Sequence, residues 1–168
     1  MTQENIPSFL KDIGTLFKVR LGFFVVLSAV LGWFMGVNTI DIESLLLLTT
    51  GGYLLTGASN GLNQIIERHN DSIMSRTKNR PLPTGRMTLI QALILSIGAG
   101  IIGIYCLWIL SYLAAILGVI ALVIYAFIYT PLKSRSSLCV FVGAIPGALP
   151  PMIGYVAATG EFGVEPGT

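Results

Sequence analysis

Apolar runs long enough to cross a membrane recur five times along this chain, and no other feature limits its fold so tightly. A helix rises about 1.5 Å per residue, so about 20 apolar residues cross a hydrocarbon layer about 30 Å thick. The runs cover about residues 21–37, 44–66, 87–110, 112–132 and 138–158. Only 11% of the 168 residues are charged, less than half of the ~25% usual in soluble domains. Mean hydropathy is +0.79. Most of the chain therefore cannot face water. The reading is an all-α, polytopic transmembrane helix bundle, a single domain over 1–168 with five spans. The two cysteines, Cys106 and Cys139, lie inside apolar runs at a spacing that matches neither a disulfide framework nor a metal site, and they read as core residues.

The distribution of charge tests this count. Lys11, Lys18 and Arg20 precede or open the first run, and Arg68, Arg76, Lys78, Arg80 and Arg86 lie between the second and third. Lys133 and Arg135 follow the fourth. The intervening segments hold Asp41, Glu43, Glu161 and Glu165 and nothing basic. All ten basic residues thus fall on one side of the alternation. Positive loops stay cytoplasmic, which predicts a cytoplasmic N-terminus in a bacterial inner membrane. Glu4 and Asp12 precede any apolar run, so the N-terminal stretch does not read as a cleavable signal peptide or a transit peptide. In the fifth run, Pro146, Pro150 and Pro151 are expected to interrupt the helix and leave it against other helices or a cavity.

One stretch, 60–86, differs in kind. Asn63, Glu67 and Asp71 are spaced four and four, which keeps them on one helical face, and Asn60 joins it. Gln64 lies beside them. Two carboxylates and an amide are oxygen ligands that suit Mg2+, which is usually completed by substrate phosphates. Arg76, Lys78, Arg80 and Arg86 follow at once, and guanidinium and ammonium groups complement phosphate oxygens. A turn with Pro81, Pro83 and Gly85 shapes the loop. Lys18, Arg20 and Lys133 stand at membrane ends of neighbouring spans and read either as further phosphate contacts or as snorkelling topology anchors. The same charges could equally form a plain cytoplasmic loop, with Glu67 paired to Arg68 or Arg76. Ionisable groups at membrane depth favour a functional site. His69 points off the Asn63 face and reads as a solvated residue rather than a haem ligand. Tyr105, Trp108, Tyr112, Tyr125 and Tyr129 read as interfacial or core packing.

Asn63-Gln64-x-x-Glu67-x-x-x-Asp71 resembles the first acidic motif of the UbiA-type intramembrane prenyltransferases. Met74-x-Arg76-Thr77-x-x-Arg80-Pro81-Leu82-Pro83-x-Gly85-Arg86, Tyr129-Thr130-Pro131-Leu132-Lys133 and the run from Gly143 to Pro151 are similar to the haem-directed branch of that family. Gln64 and Glu67, where most of the superfamily has Asp, match that branch too. The likeness extends from about Lys18 to Gly160. It implies a nine-span bundle of which this chain is the N-terminal half, and such a half alone is expected to be inactive.

The resemblance also implies a reaction. Farnesyl diphosphate, haem B and water give haem O and diphosphate, a step toward haem A. Mg2+ would be held by Asn63, Glu67 and Asp71, with Asn60 and Gln64 in support. Arg76, Lys78, Arg80, Lys133, Lys18 and Arg20 would bind the diphosphate. Implied partners are the two substrates and the bilayer, then haem A synthase or cytochrome oxidase assembly factors, and no nucleic acid. Three rivals stay open on the residues: a UbiA-type enzyme with a quinone-precursor or chlorophyll-type acceptor, a transporter segment gated by the fifth span, and a non-catalytic membrane fragment.

Overall fold

A computed structural model describes residues 9–134 and 136–162. Glu4, Arg135 and Glu165, used in the charge reading, lie outside the described residues. A short amphipathic helix, α1 (Phe9–Phe17), leads into α2 (Val19–Gly36). Then come α3 (Ile42–Ile73), α4 (Leu89–Leu110), α5 (Tyr112–Leu132) and α6 (Cys139–Thr159). The described residues are helices and their connections, as the composition requires.

The helix limits follow local chemistry. Asp41 caps α3, accepting from the backbone N–H groups of Glu43 and Ser44 and from the Ser44 hydroxyl. Those bonds, the hydroxyl's first, hold its carboxyl below the ordinary value. Thr88 and Gln91 form a reciprocal capping box at the start of α4. Ser111, in extended backbone, separates α4 from α5 by a single residue. Gly160 ends α6 in the left-handed conformation at φ 76°.

Four helices, α2, α4, α5 and α6, are long and apolar enough to cross a membrane. The second expected span differs. α3 has 32 residues, about 48 Å at the helical rise, and its polar residues dilute its hydropathy. It tolerates them because it packs against α1, α2, α4 and α5, so Asn60, Asn63, Gln64 and Asp71 are buried by protein instead of lipid. Its last turns extend beyond an ordinary hydrocarbon thickness. Phe23, Phe24, Ile101, Trp108 and Phe141 face outward, as lipid demands.

The expected break in the fifth span does not occur. α6 is a continuous helix with Pro146, Pro150 and Pro151 inside it. It is pressed onto α2: a Cβ at Gly154 would lie 1.8 Å from the Ala29 carbonyl oxygen, and one at Gly32 would lie 2.0 Å from that of Pro151. Such backbone contact is how helices associate where lipid gives no hydrophobic drive. Trp33, Leu48, Leu55, Leu107, Leu117 and Val156 form the main core, while Leu16, Met87 and Ala92 form a second cluster beneath α1.

Candidate functional site

The C-terminal part of α3 carries the site. Asn63 is 2% exposed and its Nδ2 donates to both Glu67 Oε2 at 3.1 Å and Thr130 Oγ1 at 2.9 Å. Both amide hydrogens are thereby used, and Oδ1 is left free to accept. Glu67 accepts from Lys133 Nζ at 3.3 Å. Asp71, 3% exposed, pairs with Arg80, and its backbone carbonyl accepts from Thr77 Oγ1 at 3.1 Å. The two carboxylates are thus each neutralised by a cation that comes from a different segment: Lys133 from the end of α5, Arg80 from the α3–α4 loop.

A distortion of α5 delivers the α5 contacts. Ile124–Tyr129 forms a π-helical stretch. Pro131 has no N–H to continue the ladder and the chain widens just before it. The Tyr125 carbonyl accepts from the backbone N–H of Thr130 and from its hydroxyl at 2.8 Å. Tyr125 and Tyr129 stack at 5.5 Å. The Tyr125 hydroxyl donates to Asn60 Oδ1 at 3.3 Å. From sequence, Tyr125 and Tyr129 read as packing, and the Thr130 side chain carries no site signal of its own. The available signal was a proline late in an apolar run, which displaces the helix ahead of it.

Lys18 joins α1 to α2. Its ammonium feels Arg80, Lys133, Glu67 and Asp71. Burial, then the charges of Arg80 and Lys133, lower its pKa from 10.5 to about 8. Arg80 and Lys133 thus pair with Asp71 and Glu67, and the charge of Lys18 is coupled to all four.

The other expected residues sit elsewhere. Arg20, Arg76 and Lys78 are exposed and make no ion pair with a described residue. Arg86 pairs with the buried Asp12 of α1 at 3.0 Å and donates to the Asn79 carbonyl. Gln64 turns away from Asn63 and donates to the carbonyls of Thr15 and Leu16. His69 is exposed. Beside Asn60 and Tyr125, an apolar cavity of about 230 Å³ runs between the helices, lined by residues such as Val25, Leu55, Leu122, Pro146 and Ile153.

The donor set fits a hard cation. Among the described residues, no group of three or more His, Cys, Asp and Glu side chains could enclose a metal. Two carboxylates and a free amide oxygen are what Mg2+ takes when phosphate oxygens and water complete its shell.

An α-helical membrane bundle, a carboxylate–amide face and a cation cluster over an apolar cavity define a class, and residues 21–168 match the UbiA prenyltransferase family: the chain belongs to it. It is similar to the protoheme IX farnesyltransferase of Christiangramia forsetii, 49% identical over 161 residues that cover 96% of this chain and 54% of the relative. It is also similar to that of Flavobacterium johnsoniae, 46% identical over 167 residues, 98% of this chain and 56% of the relative. Among solved structures, a UbiA homolog from Archaeoglobus fulgidus bound to DMAPP and Mg2+ matches with TM-score 0.80 at 15% identity, over 91% of this chain and 56% of that one. The chain therefore spans about half the length of the curated relatives it matches.

Proposed function

We propose that this chain forms one part of the wall of a farnesyl-transfer site whose acceptor is haem B. The observation that carries the reading is the Asn63–Glu67–Asp71 face, with Lys133 and Arg80 already paired to its carboxylates. The acceptor and donor are taken from relatives named protoheme IX farnesyltransferase, which match nearly the whole chain. A magnesium–diphosphate complex is supported by the ligand pair of the Archaeoglobus fulgidus homolog. We read the bilayer as a bacterial cytoplasmic membrane with the N-terminus inside, because Lys18, Arg80, Arg86 and Lys133 converge on one end of the bundle. Haem A synthase and cytochrome oxidase assembly factors are the partners that would use the product.

In this reading, Asn63 Oδ1, Glu67 and Asp71 hold Mg2+, which when bound supplies charge neutralisation to the diphosphate oxygens. Lys18, Arg80 and Lys133 hold the same oxygens, with Arg76, Lys78 and Arg20 as exposed charges that steer the anion inward. The bond between farnesyl C1 and oxygen breaks, and its electron pair leaves with diphosphate. The cations stabilise that developing charge. A haem vinyl carbon forms the new bond to C1, and water captures the resulting cation, giving haem O after loss of a proton. The apolar cavity takes the isoprenoid chain and keeps water from the allylic centre.

The test is Mg2+-dependent binding of farnesyl diphosphate by the chain in lipid nanodiscs, and turnover with haem B once the remaining half of a relative's length is supplied. Asp71→Asn and Glu67→Gln are expected to cut both by about a hundredfold or more. Undiminished binding in both variants sinks the metal assignment. Turnover with an aromatic acid or a chlorophyll-type acceptor, and none with haem, sinks the acceptor.

A further inference from the structure

We propose that Gln64 is a positioning residue: by capping the end of α1 it sets Lys18 in the diphosphate site. The proposal rests on the diphosphate reading above for the role of Lys18, and on the structure for the role of Gln64.

The last carbonyls of any helix lack intrahelical partners. At the end of α1, Thr15 and Leu16 carbonyls accept from Gln64 Nε2 at 2.9 and 2.8 Å, and that of Phe17 accepts from Asn60 Nδ2 at 3.3 Å. Three successive carbonyls are thus satisfied by two side chains of α3. Gln64 and Asn60 are each 1% exposed, so water does not substitute there. Oε1 of Gln64 has no partner in the structure. The amide serves only as a donor, and its orientation is unambiguous, since a flip would set Oε1 against two carbonyl oxygens. A carboxylate of the same length could not do this.

The very next residue is Lys18, at φ 51° and ψ 58°, the one non-glycine with positive φ among the described residues. The left-handed conformation is disfavoured for an L-residue, and the residue after a helix end in that conformation is usually Gly. Lys18 instead puts a long cation at the reversal, and α2 begins directly after it. The point at which α1 stops therefore fixes the direction in which Lys18 leaves the backbone. The Phe17 carbonyl, bonded to Asn60, places this reversal beside the turn of α3 that precedes Asn63, and the charge of Lys18 is coupled to Glu67, Asp71, Arg80 and Lys133. α1 also has independent anchors. Asp12 binds Arg86, and Leu16 packs with Met87 and Ala92. Losing the Gln64 donors thus leaves α1 docked but two of its last three carbonyls unpaired, with only Asn60 holding the turn before Lys18.

The experiment uses the full chain in lipid nanodiscs, with inorganic pyrophosphate and Mg2+ as the probe and calorimetry as the readout. Gln64→Met keeps the side-chain length without a donor; Gln64→Glu serves where that variant does not fold. Either is expected to weaken pyrophosphate binding about tenfold, as Lys18→Met does. The Gln64→Met/Lys18→Met double variant is expected to bind no more weakly than Lys18→Met alone. Unchanged binding in the Gln64 variants, or losses that add in the double variant, overturn the proposal. A second readout is the resonance of 13C-dimethylated Lys18, assigned by its loss in Lys18→Met. It is expected to be shifted and single in the wild type and to move to the free-peptide position in the Gln64 variants. An unmoved resonance overturns the proposal even if pyrophosphate does not bind. A wild type that binds no pyrophosphate sinks the diphosphate reading, and the resonance then decides the positioning role on its own.

Discussion

The α2–α6 crossing and the polar end of the bundle are held by opposite means. At the crossing, Gly32 and Gly154 let two backbones touch, and no ionisable group takes part. At the polar end, side chains meet through hydrogen bonds and ion pairs: Asn63 to Thr130, Glu67 to Lys133, Asp71 to Arg80, Asp12 to Arg86. Lipid rewards close apolar contact only weakly, so the crossing depends on shape. Buried polar groups are costly unless partnered, so the polar end depends on complete satisfaction. The first arrangement tolerates no added volume. The second tolerates no lost partner, and it is the one that keeps charges poised for a ligand.

That contrast is broken most severely at Gly154. Gly154→Leu would place a side chain 1.8 Å from the Ala29 carbonyl oxygen at its first atom. The expected cost is about 3 kcal/mol, read as a fall in unfolding temperature in detergent, with pyrophosphate binding lost only through the loss of fold. A variant that melts with the wild type would show that the crossing is not held by shape.

Thr130→Val tests the polar end with little change in volume. It removes the acceptor for Asn63 and the donor to the Tyr125 carbonyl. The Mg2+ concentration for half-maximal pyrophosphate binding is expected to rise about tenfold, while Thr130→Ser stays near wild type. Equal behaviour of Val and Ser would mean that the hydroxyl does not orient Asn63.

The smallest effect is a pH dependence. Lys18 has a folded-state pKa lowered from 10.5 to about 8, chiefly by burial and then by Arg80 and Lys133. Its charge therefore opposes folding below about pH 8, and that penalty is relieved as pH rises from about 8 toward 10.5. In the proposed site, diphosphate binding needs the charged form. Affinity for pyrophosphate is expected to fall a few-fold as pH rises above about 8, and to be flat over that interval in Lys18→Met. A wild-type profile as flat as the variant's would take Lys18 out of the diphosphate site.

The spans were legible because lipid allows so few solutions. The runs at 87–110 and 112–132 differ from α4 and α5 by two residues at most. The face formed by Asn63, Glu67 and Asp71 was legible because four-residue spacing is a property of the helix itself. Gln64 was not. It is adjacent to Asn63 in sequence, yet neighbouring positions on a helix point about 100° apart, and here the difference separates the ligand face from the end of α1. Arg86 reads as one more cation in a basic loop until Asp12, 74 residues away, is found against it. The three prolines of α6 correctly placed that helix against other helices and a cavity, but the break they predict does not occur, because the sequence does not reveal how closely α2 supports the helix.

By itself the sequence determined that the chain is helical, that it lives in a membrane, and which carboxylates share a face, since those follow from hydrocarbon thickness, charge and helical period. Which cation serves which carboxylate, which amide faces the carboxylates and which one caps α1, and that Thr130 accepts from Asn63 were decided by tertiary structure alone. They depend on where separate helices end relative to one another, and no local period carries that distance.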